Sequence, residues 1–566
     1  MGGGTEGEFP ARERRRPRLR DRVPVRLRHH WKPAAALGVG LAAMVAFLGD
    51  ARISPYVTSA SRAEADPVTE DVKGTVGLYD TSAKHAIQLT YEQTDFDKMM
   101  KEFEKDGTKD YIKADLTIDG VYLNDVGIRL KGNSTLSSLR TSKRAPGGGR
   151  GFPGGGRTDR GAAPSGAPDA GGAKAGDEAK ADGAKTGGDG PKAGGGMGGM
   201  VQYDLSAAKP EELPWLVKID EFVEGRAYQG EREISLRPGS DDQVPLNEAL
   251  ALSLTAKSGQ KAERYGFTEL KVNNRPAVTR LMVEAPDTDY AEDVADGNGV
   301  LYKAKAGGSF AYQGDDPTDY EDSFKQLNKV GSQDLEPVMK LIKWANKASD
   351  KEFARDLHRY VDVDSLAHYL AAQNLLLNFD DMAGPGKNYL LWYDLDTKKF
   401  SVLGWDYNLT FSGDASTGPD DSVGMGGPGG APAGGGAAAG GPEGAPGDMP
   451  EGMPTDLPRD APGGDGARAG KAGEDAKGGA GGRMGHVLKT RFLASDAFDD
   501  VYHDAYRELY EKFYGSGTAA EYLTSIAGQA RAAGGASKAL DSAVAKLRET
   551  VTDRASALGE DKEVTG

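Results

Sequence analysis

The chain has 566 residues, 80 of them glycine, no cysteine, and a formal net charge of −16. The missing cysteines exclude disulfides, a thiol nucleophile and thiolate metal ligands. The acidic balance repels polyanions and speaks against nucleic-acid binding, and seven scattered histidines offer no paired set for zinc.

Residues 1–32 form a basic tail, with nine Arg and one Lys between Arg12 and Lys32, and the apolar run PAAALGVGLAAMVAFLG follows at 33–49. As a helix this run reaches the short end of the roughly 17–25 residues that span a bilayer. The positive flank puts the N-terminus in the cytoplasm and the rest outside. A cleaved signal peptide is the alternative, because SASRAEA at 59–65 offers small residues to a peptidase. The expectation is a single-pass membrane protein with an extracellular domain, or a secreted one. Residues 50–74 read as a linker, and 75–559 as the folded domain.

Two Gly-rich tracts interrupt that domain, at 145–200 and 413–485. Both lack the apolar residues needed to offset backbone ordering and are expected to be disordered insertions. Neither keeps a Gly-X-Y period, so collagen is excluded.

HAIQLTYEQTDFDKMMKEFEKDG (85–107) begins as an alternating strand and from Thr94 becomes a helix with an apolar Phe96, Met99, Met100, Phe103 face. Asp119-Gly120 marks a hairpin between two strand-like runs. The second run ends in GIRLKGNST (127–135), which places Arg129 and Lys131 where strand gives way to loop. PWLVKIDEF (214–222) reads as a strand with Lys218 in its middle. FTELKVNNRPAVTRLMVEAP (267–286) makes a hairpin about Asn273-Asn274, and GVLYKAK (299–305) is a short strand.

The second half turns helical over 334–348, 350–361 and 363–379, and again over 486–514 and 519–558. The helix at 363–379 runs into NFDDMAGPGKN (378–388), which leads into the hairpin NYLLWYDLDTKKFSVLGWDYNLTF (388–411). With its turn centred on Thr397, antiparallel pairing sets Asn388 opposite Asp406, two oxygen ligands suited to a hard divalent cation. A sheet-rich half followed by a helical half is an α+β arrangement with a cleft between the two as the natural ligand site.

A strand lysine (Lys218), a loop carrying Asp380, Asp381 and Asn388, and a hairpin ending at Asp406 follow the order in which protein kinases arrange their parts. Adjacent Asp380 and Asp381 leave open which one faces the site. No Gly-x-Gly-x-x-Gly loop is visible; PGGGRGFPGGGR lies inside the first tract, without a strand before it.

GIRLKGNST, VKIDEF (217–222), NGVLYKAK (298–305) and NFDD…KNYLLWYDLDTKKFSVLGWDYNLTF (378–411) resemble the spore coat protein H (CotH) kinase-like family. The resemblance implies an atypical protein-kinase-like fold. The activity it implies is transfer of the ATP γ-phosphate, with Mg2+ or Mn2+, to Ser/Thr or similar hydroxyls on envelope or secreted proteins. It implies Asp380 as the catalytic carboxylate, with Asp381 beside it, and Asn388, Asp406 and Asn408 as metal ligands. Lys218 is implied as phosphate contact, and Arg129 and Lys131 as part of the nucleotide cradle. The family's Trp-Asp-x-Asp pattern has Asn408 here in place of its second acid, and an amide oxygen coordinates without bringing charge. The alternative is a non-catalytic, kinase-like structural protein of a spore or envelope coat.

Overall fold

The computed structural model describes residues 67–132, 134–141, 203–423, 485–535 and 537–566. In β2 (His85–Tyr91) alternate residues are buried, as the period-2 pattern requires, and α1 (Gln93–Asp106) buries the expected Phe96, Met99, Met100 and Phe103. β3 (Ile112–Ile118) and β4 (Val121–Leu130) pair antiparallel about Asp119 and Gly120, both with positive φ, the backbone a tight hairpin turn demands. β5 (Trp215–Lys218) ends rather than centres on Lys218. With β7 (Glu233–Leu236), β8 (Tyr265–Val272) and β9 (Val278–Glu284), these strands close a seven-stranded barrel in the order β2-β3-β4-β5-β7-β9-β8. The closing contact is the parallel pair β2 and β8. A short parallel pair, β1 (Glu70–Val72) and β6 (Arg226–Tyr228), lies outside it.

The barrel interior is apolar, with Ile128, Leu130, Trp215, Leu236 and Leu270 fully buried. The outer face of β8 and β9 contributes Phe267, Leu281 and Val283 to a second core, shared with α2 (Leu246–Ser258) and the helical half. Among the described residues, α2 is the one long helix the sequence reading lacked, along with the short strands β1, β6, β7 and Phe324–Gln326. The helix is buried on nearly every side, so it shows no polar face and no periodicity to detect.

β10 (Gly299–Ala304), the short strand expected at 299–305, joins β11 (Phe324–Gln326) and the hairpin β12 (Tyr389–Asp394) and β13 (Phe400–Gly404) in a four-stranded antiparallel sheet, order β11-β10-β12-β13. Helices pack behind it: α3 (Glu336–Lys347), α4 (Val363–Leu375), α5 (Val487–Leu493), α6 (Asp499–Tyr510), α7 (Thr518–Ala532) and α8 (Lys538–Gly559). The sheet-rich first half and helical second half are therefore present.

The tail, the apolar run at 33–49 and the tract at 145–200 lie outside the described residues; among those described, no helix is long and apolar enough to cross a membrane. The second tract begins later than expected, because 413–423 belongs to the folded body. Fully buried Arg554 donates to Ala415 and Thr417 carbonyls, Asn374 donates to the carbonyls of Gly418 and Asp421, and Tyr502 donates to that of Pro419. Long-range polar partners, invisible to composition, hold this Gly-containing segment. Replacing 424–484 by a short Gly-Ser linker is expected to leave the melting temperature nearly unchanged, since loop closure costs only about 0.6 kcal/mol per doubling of length. Extending the replacement back to 413 strips carbonyls from a buried guanidinium, at about 1.5–3 kcal/mol for each charged hydrogen bond. Urea unfolding of the two variants distinguishes them, and equal stabilities would refute the revised boundary.

Candidate functional site

The side chains of β4 and β5 alternate between barrel interior and exterior. With Ile128 and Leu130 inside, Gly127, Arg129 and Lys131 fall on the outer face. Register carries that face across the sheet: Gly127 opposes Lys218, which opposes Glu233, and Arg129 opposes Leu216, which opposes Ser235. Arg237 follows β7 on the same alternation.

Lys218 does not reach toward the hairpin. Its ammonium is 2.7 Å from Glu221 and 3.9 Å from Asp220, and it lies over the Tyr111 ring, as does Arg129. The cation at Asp406 is Arg237, a residue the sequence reading passed over. Its guanidinium is 3.1 Å from Asp406 Oδ1 and ion-pairs with Glu248, a fully buried carboxylate on α2. Burial pushes the Glu248 carboxyl up and Arg237 opposes it, while burial of the guanidinium is outweighed by Glu248 and Asp406, which hold it charged. Lys131 is pushed down to about 7 by burial and by repulsion from Arg237 and Lys303, against the pull of Asp406 and Glu233. Lys303 on β10, 3.4 Å over the Trp405 ring, is pushed down to about 8 by burial, again against Asp406. One guanidinium and two lysines whose charged forms burial disfavours thus lie near Asp406, together with the carboxylates of Glu248, Glu233 and Glu263.

The hairpin forms as expected but one residue out of register. Tyr389 opposes Gly404, so Asp406 is not the partner of Asn388. Asp406 instead adopts a left-handed conformation (φ 57°, ψ 61°), and its N–H donates to Glu263 at 3.3 Å. Glu263 is itself buried, which pushes it up to about 7. The Asn388 amide donates to the Asp406 carbonyl at 3.4 Å and to Asp380 Oδ2 at 3.0 Å. The amide therefore meets the carboxylate of Asp380, not that of Asp406.

Asp380 is buried, and its Oδ1 accepts the Gly386 N–H at 2.5 Å. Burial raises it to about 7; the Gly386 hydrogen bond lowers it, and the charges of Asp406 and Asp381 raise it further. The glycines of Gly384-Pro385-Gly386 allow this approach, because a Cβ on either would collide with Asp380. That spacing was present in the sequence and went unread. The neighbouring Asp381 is taken up elsewhere: it pairs with Lys489 and caps the Ala383 N–H at 2.8 Å.

Asn408, beyond the hairpin, has a buried side-chain oxygen without a hydrogen-bond partner, while Asp406 Oδ1 is held by the Arg237 guanidinium. An unpaired buried amide oxygen beside a carboxylate fits an oxygen-preferring cation. The His, Asp and Glu groups among the described residues that lie close enough to share an ion are Asp420, His503 and Glu563, none of them in this cluster. A cavity of about 650 Å³ lies away from the cleft, lined by Tyr91, Phe96, Pro210, Asn273 and Arg275; its one charged side chain, Arg275, is already paired with Glu211.

A family model described as CotH kinase protein matches residues 206–534, more than half of the chain. The motifs at 217–222, 298–305 and 378–411 fall inside that span, and GIRLKGNST lies before it. Over 198 residues the chain is 25% identical to inner spore coat protein H of Bacillus subtilis (strain 168), covering 34% of this chain and 54% of that protein. The chain thus spans about half the length of this curated relative.

Proposed function

The chain belongs to the CotH kinase protein family, and from that premise we propose that it is an extracytoplasmic kinase, transferring the γ-phosphoryl group of ATP to Ser, Thr or similar hydroxyls of envelope or secreted proteins. The observation that carries the reading is the meeting of Asp380, Asn388 and Asp406 opposite Arg237, Lys131 and Lys303. Phosphoryl transfer is governed by positioning and charge stabilisation, and it needs cations on the phosphates and a carboxylate at the acceptor hydroxyl.

Arg237, held by Glu248, is the phosphate-orienting cation in this reading, in the manner of the strand-lysine and helix-glutamate pair of protein kinases. Lys131 and Lys303 take the remaining phosphate charge, which relieves their mutual repulsion. Lys218 and Arg129 lie further along the same face. Asp380 accepts the proton of the acceptor hydroxyl as its oxygen bonds to the γ-phosphorus and the bond to the ADP oxygen breaks. Asp406, Asn388 and Asn408 would hold Mg2+ or Mn2+, which supplies neutralising charge to the phosphates. The basic flank and apolar run before residue 50 support an anchored or secreted location.

Purified protein incubated with labelled ATP and Mg2+ or Mn2+ is expected to transfer label to hydroxyl side chains of an envelope-protein fraction. Calorimetry of nucleotide with metal should show weaker binding for Asp406→Asn and stronger binding for Asn408→Asp. No transfer, together with identical titrations for all three proteins, would overturn the reading.

A second reading, a non-catalytic coat-assembly role, is favoured by Asn408 standing where the family pattern has an acid and by the spore-coat name of the relative. It expects the wild type to show no metal-dependent nucleotide binding.

A further inference from the structure

The loop between α4 and β12 carries Asp380 and Asn388, yet it has no regular structure of its own and contains Gly384-Pro385-Gly386. Hydrogen bonds within the loop, from Gly386 and Asn388 to Asp380 and from Ala383 to Asp381, fix part of its shape, and partners outside the loop supply the rest. Part of that support comes from the chain that resumes after the second Gly-rich tract, through Gly485 and Lys489. Gly485 N–H donates to the Ala383 carbonyl at 3.1 Å, and Lys387 Nζ donates to the Gly485 carbonyl at 3.2 Å and to that of Ala383 at 3.4 Å. Lys489, on the first turn of α5, pairs with Asp381 Oδ2, while Asp381 Oδ1 accepts the Ala383 N–H. From α4, the Tyr369 hydroxyl accepts the Met382 N–H at 3.0 Å.

Within this set the Asp381 and Lys489 pair is the one with charge on both sides. Asp381 is 3% exposed and directly precedes the turn that brings the Gly386 N–H onto Asp380. A carboxylate buried to that degree requires its counter-charge. Without the ammonium, Asp381 would seek water or other donors, and Ala383, which it caps, would move with it. The displacement would pass through Gly384 and Gly386, whose backbones lie against Asp380.

We infer that Lys489 is a positioning residue for the proposed phosphotransfer, acting through Asp381 to hold the 380–388 loop so that Asp380 and Asn388 face the cleft. The inference rests on the kinase reading for its catalytic consequence, but its structural content is independent of it. Lys489 touches neither the nucleotide nor the acceptor. The segment that begins at Gly485 then starts at the loop's own support and has a role beyond continuing the chain.

The test compares Lys489→Met, Lys489→Arg, Asp381→Asn and the double variant Lys489→Met/Asp381→Asn in the full chain, by hydrogen exchange and by kinetics. Lys489→Met should speed exchange of the 382–388 peptide by about tenfold or more, with the barrel strands unchanged, since local opening is read by exchange of the segment that opens. It should lower kcat about tenfold with KM for ATP nearly constant, the pattern of lost alignment rather than lost ground-state binding. Lys489→Arg should restore both readouts. The double variant should be no worse than the worse single one, because the two residues act as one unit. Unchanged exchange at 382–388 in Lys489→Met, or losses that add in the double variant, would overturn the inference. If the wild type transfers no phosphate, the kinase reading falls, and the exchange comparison still decides whether Lys489 holds the loop.

Discussion

Asp380→Asn is expected to slow phosphoryl transfer by about 10²–10⁴-fold, the range a positioned general base contributes, while nucleotide affinity stays close to wild type. The substitution preserves shape, and the amide oxygen can still accept the Gly386 N–H. It removes the capacity to take a proton and turns the oxygen that accepts from Asn388 into a donor, which a flip of the Asn388 amide would accommodate. The pH profile supplies a second signature. Burial raises Asp380 to about 7, so the carboxyl is protonated and idle below that pH and ionised and competent above it. The wild-type rate should therefore climb as pH rises through about 7, and this acid limb should disappear in Asp380→Asn. A variant with the wild-type rate and the same acid limb would remove Asp380 from the chemistry.

Arg237→Met is expected to destabilise the fold by about 3–5 kcal/mol, the usual consequence of leaving one member of a buried ion pair alone. Glu248 is fully buried, and its ion-pair partner is Arg237. Replacing both, as Arg237→Met/Glu248→Leu, should recover most of the stability, because neither charge then remains stranded in the core. Nucleotide binding should not recover, since the cation next to Asp406 is gone in both variants. Urea unfolding and calorimetry read the two effects separately. Equal stability loss in the single and double variants would show that the pair is not what Glu248 depends on, and full nucleotide affinity in both would take Arg237 out of the phosphate site.

Much of the fold was legible because it rests on local rules. The strand and helix at 85–106, the Asp119-Gly120 turn, the β8 and β9 hairpin and the β12 and β13 hairpin each announce themselves by periodicity or turn chemistry over a dozen or so residues. The grouping of Asp380, Asn388 and Asp406 was legible for the same reason, since a helix, a loop and a hairpin place them within one continuous stretch of chain. The hairpin's register was not: symmetry about Thr397 predicted Asn388 facing Asp406, and the observed pairing is displaced by one residue, with the left-handed backbone of Asp406 re-aiming its side chain.

By itself, then, the sequence determined the locally patterned strands and helices, that Asp380, Asn388 and Asp406 gather near the base of one hairpin, and which family the chain resembles. Only the tertiary structure decided which cation meets Asp406 and which aspartate meets Asn388. Lys218 and Arg237 both follow strand patterns on the same barrel face, and the choice between them depends on where buried Glu248 of α2 sits, a helix whose apolar surroundings erase its periodic signature. Asp380 and Asp381 are adjacent and chemically identical, and they are told apart by Lys489, which reaches Asp381 from beyond the second Gly-rich tract. Propensity and turn chemistry act between near neighbours, whereas the desolvation and charge pairing that assign these roles act between residues that meet only when the chain has folded.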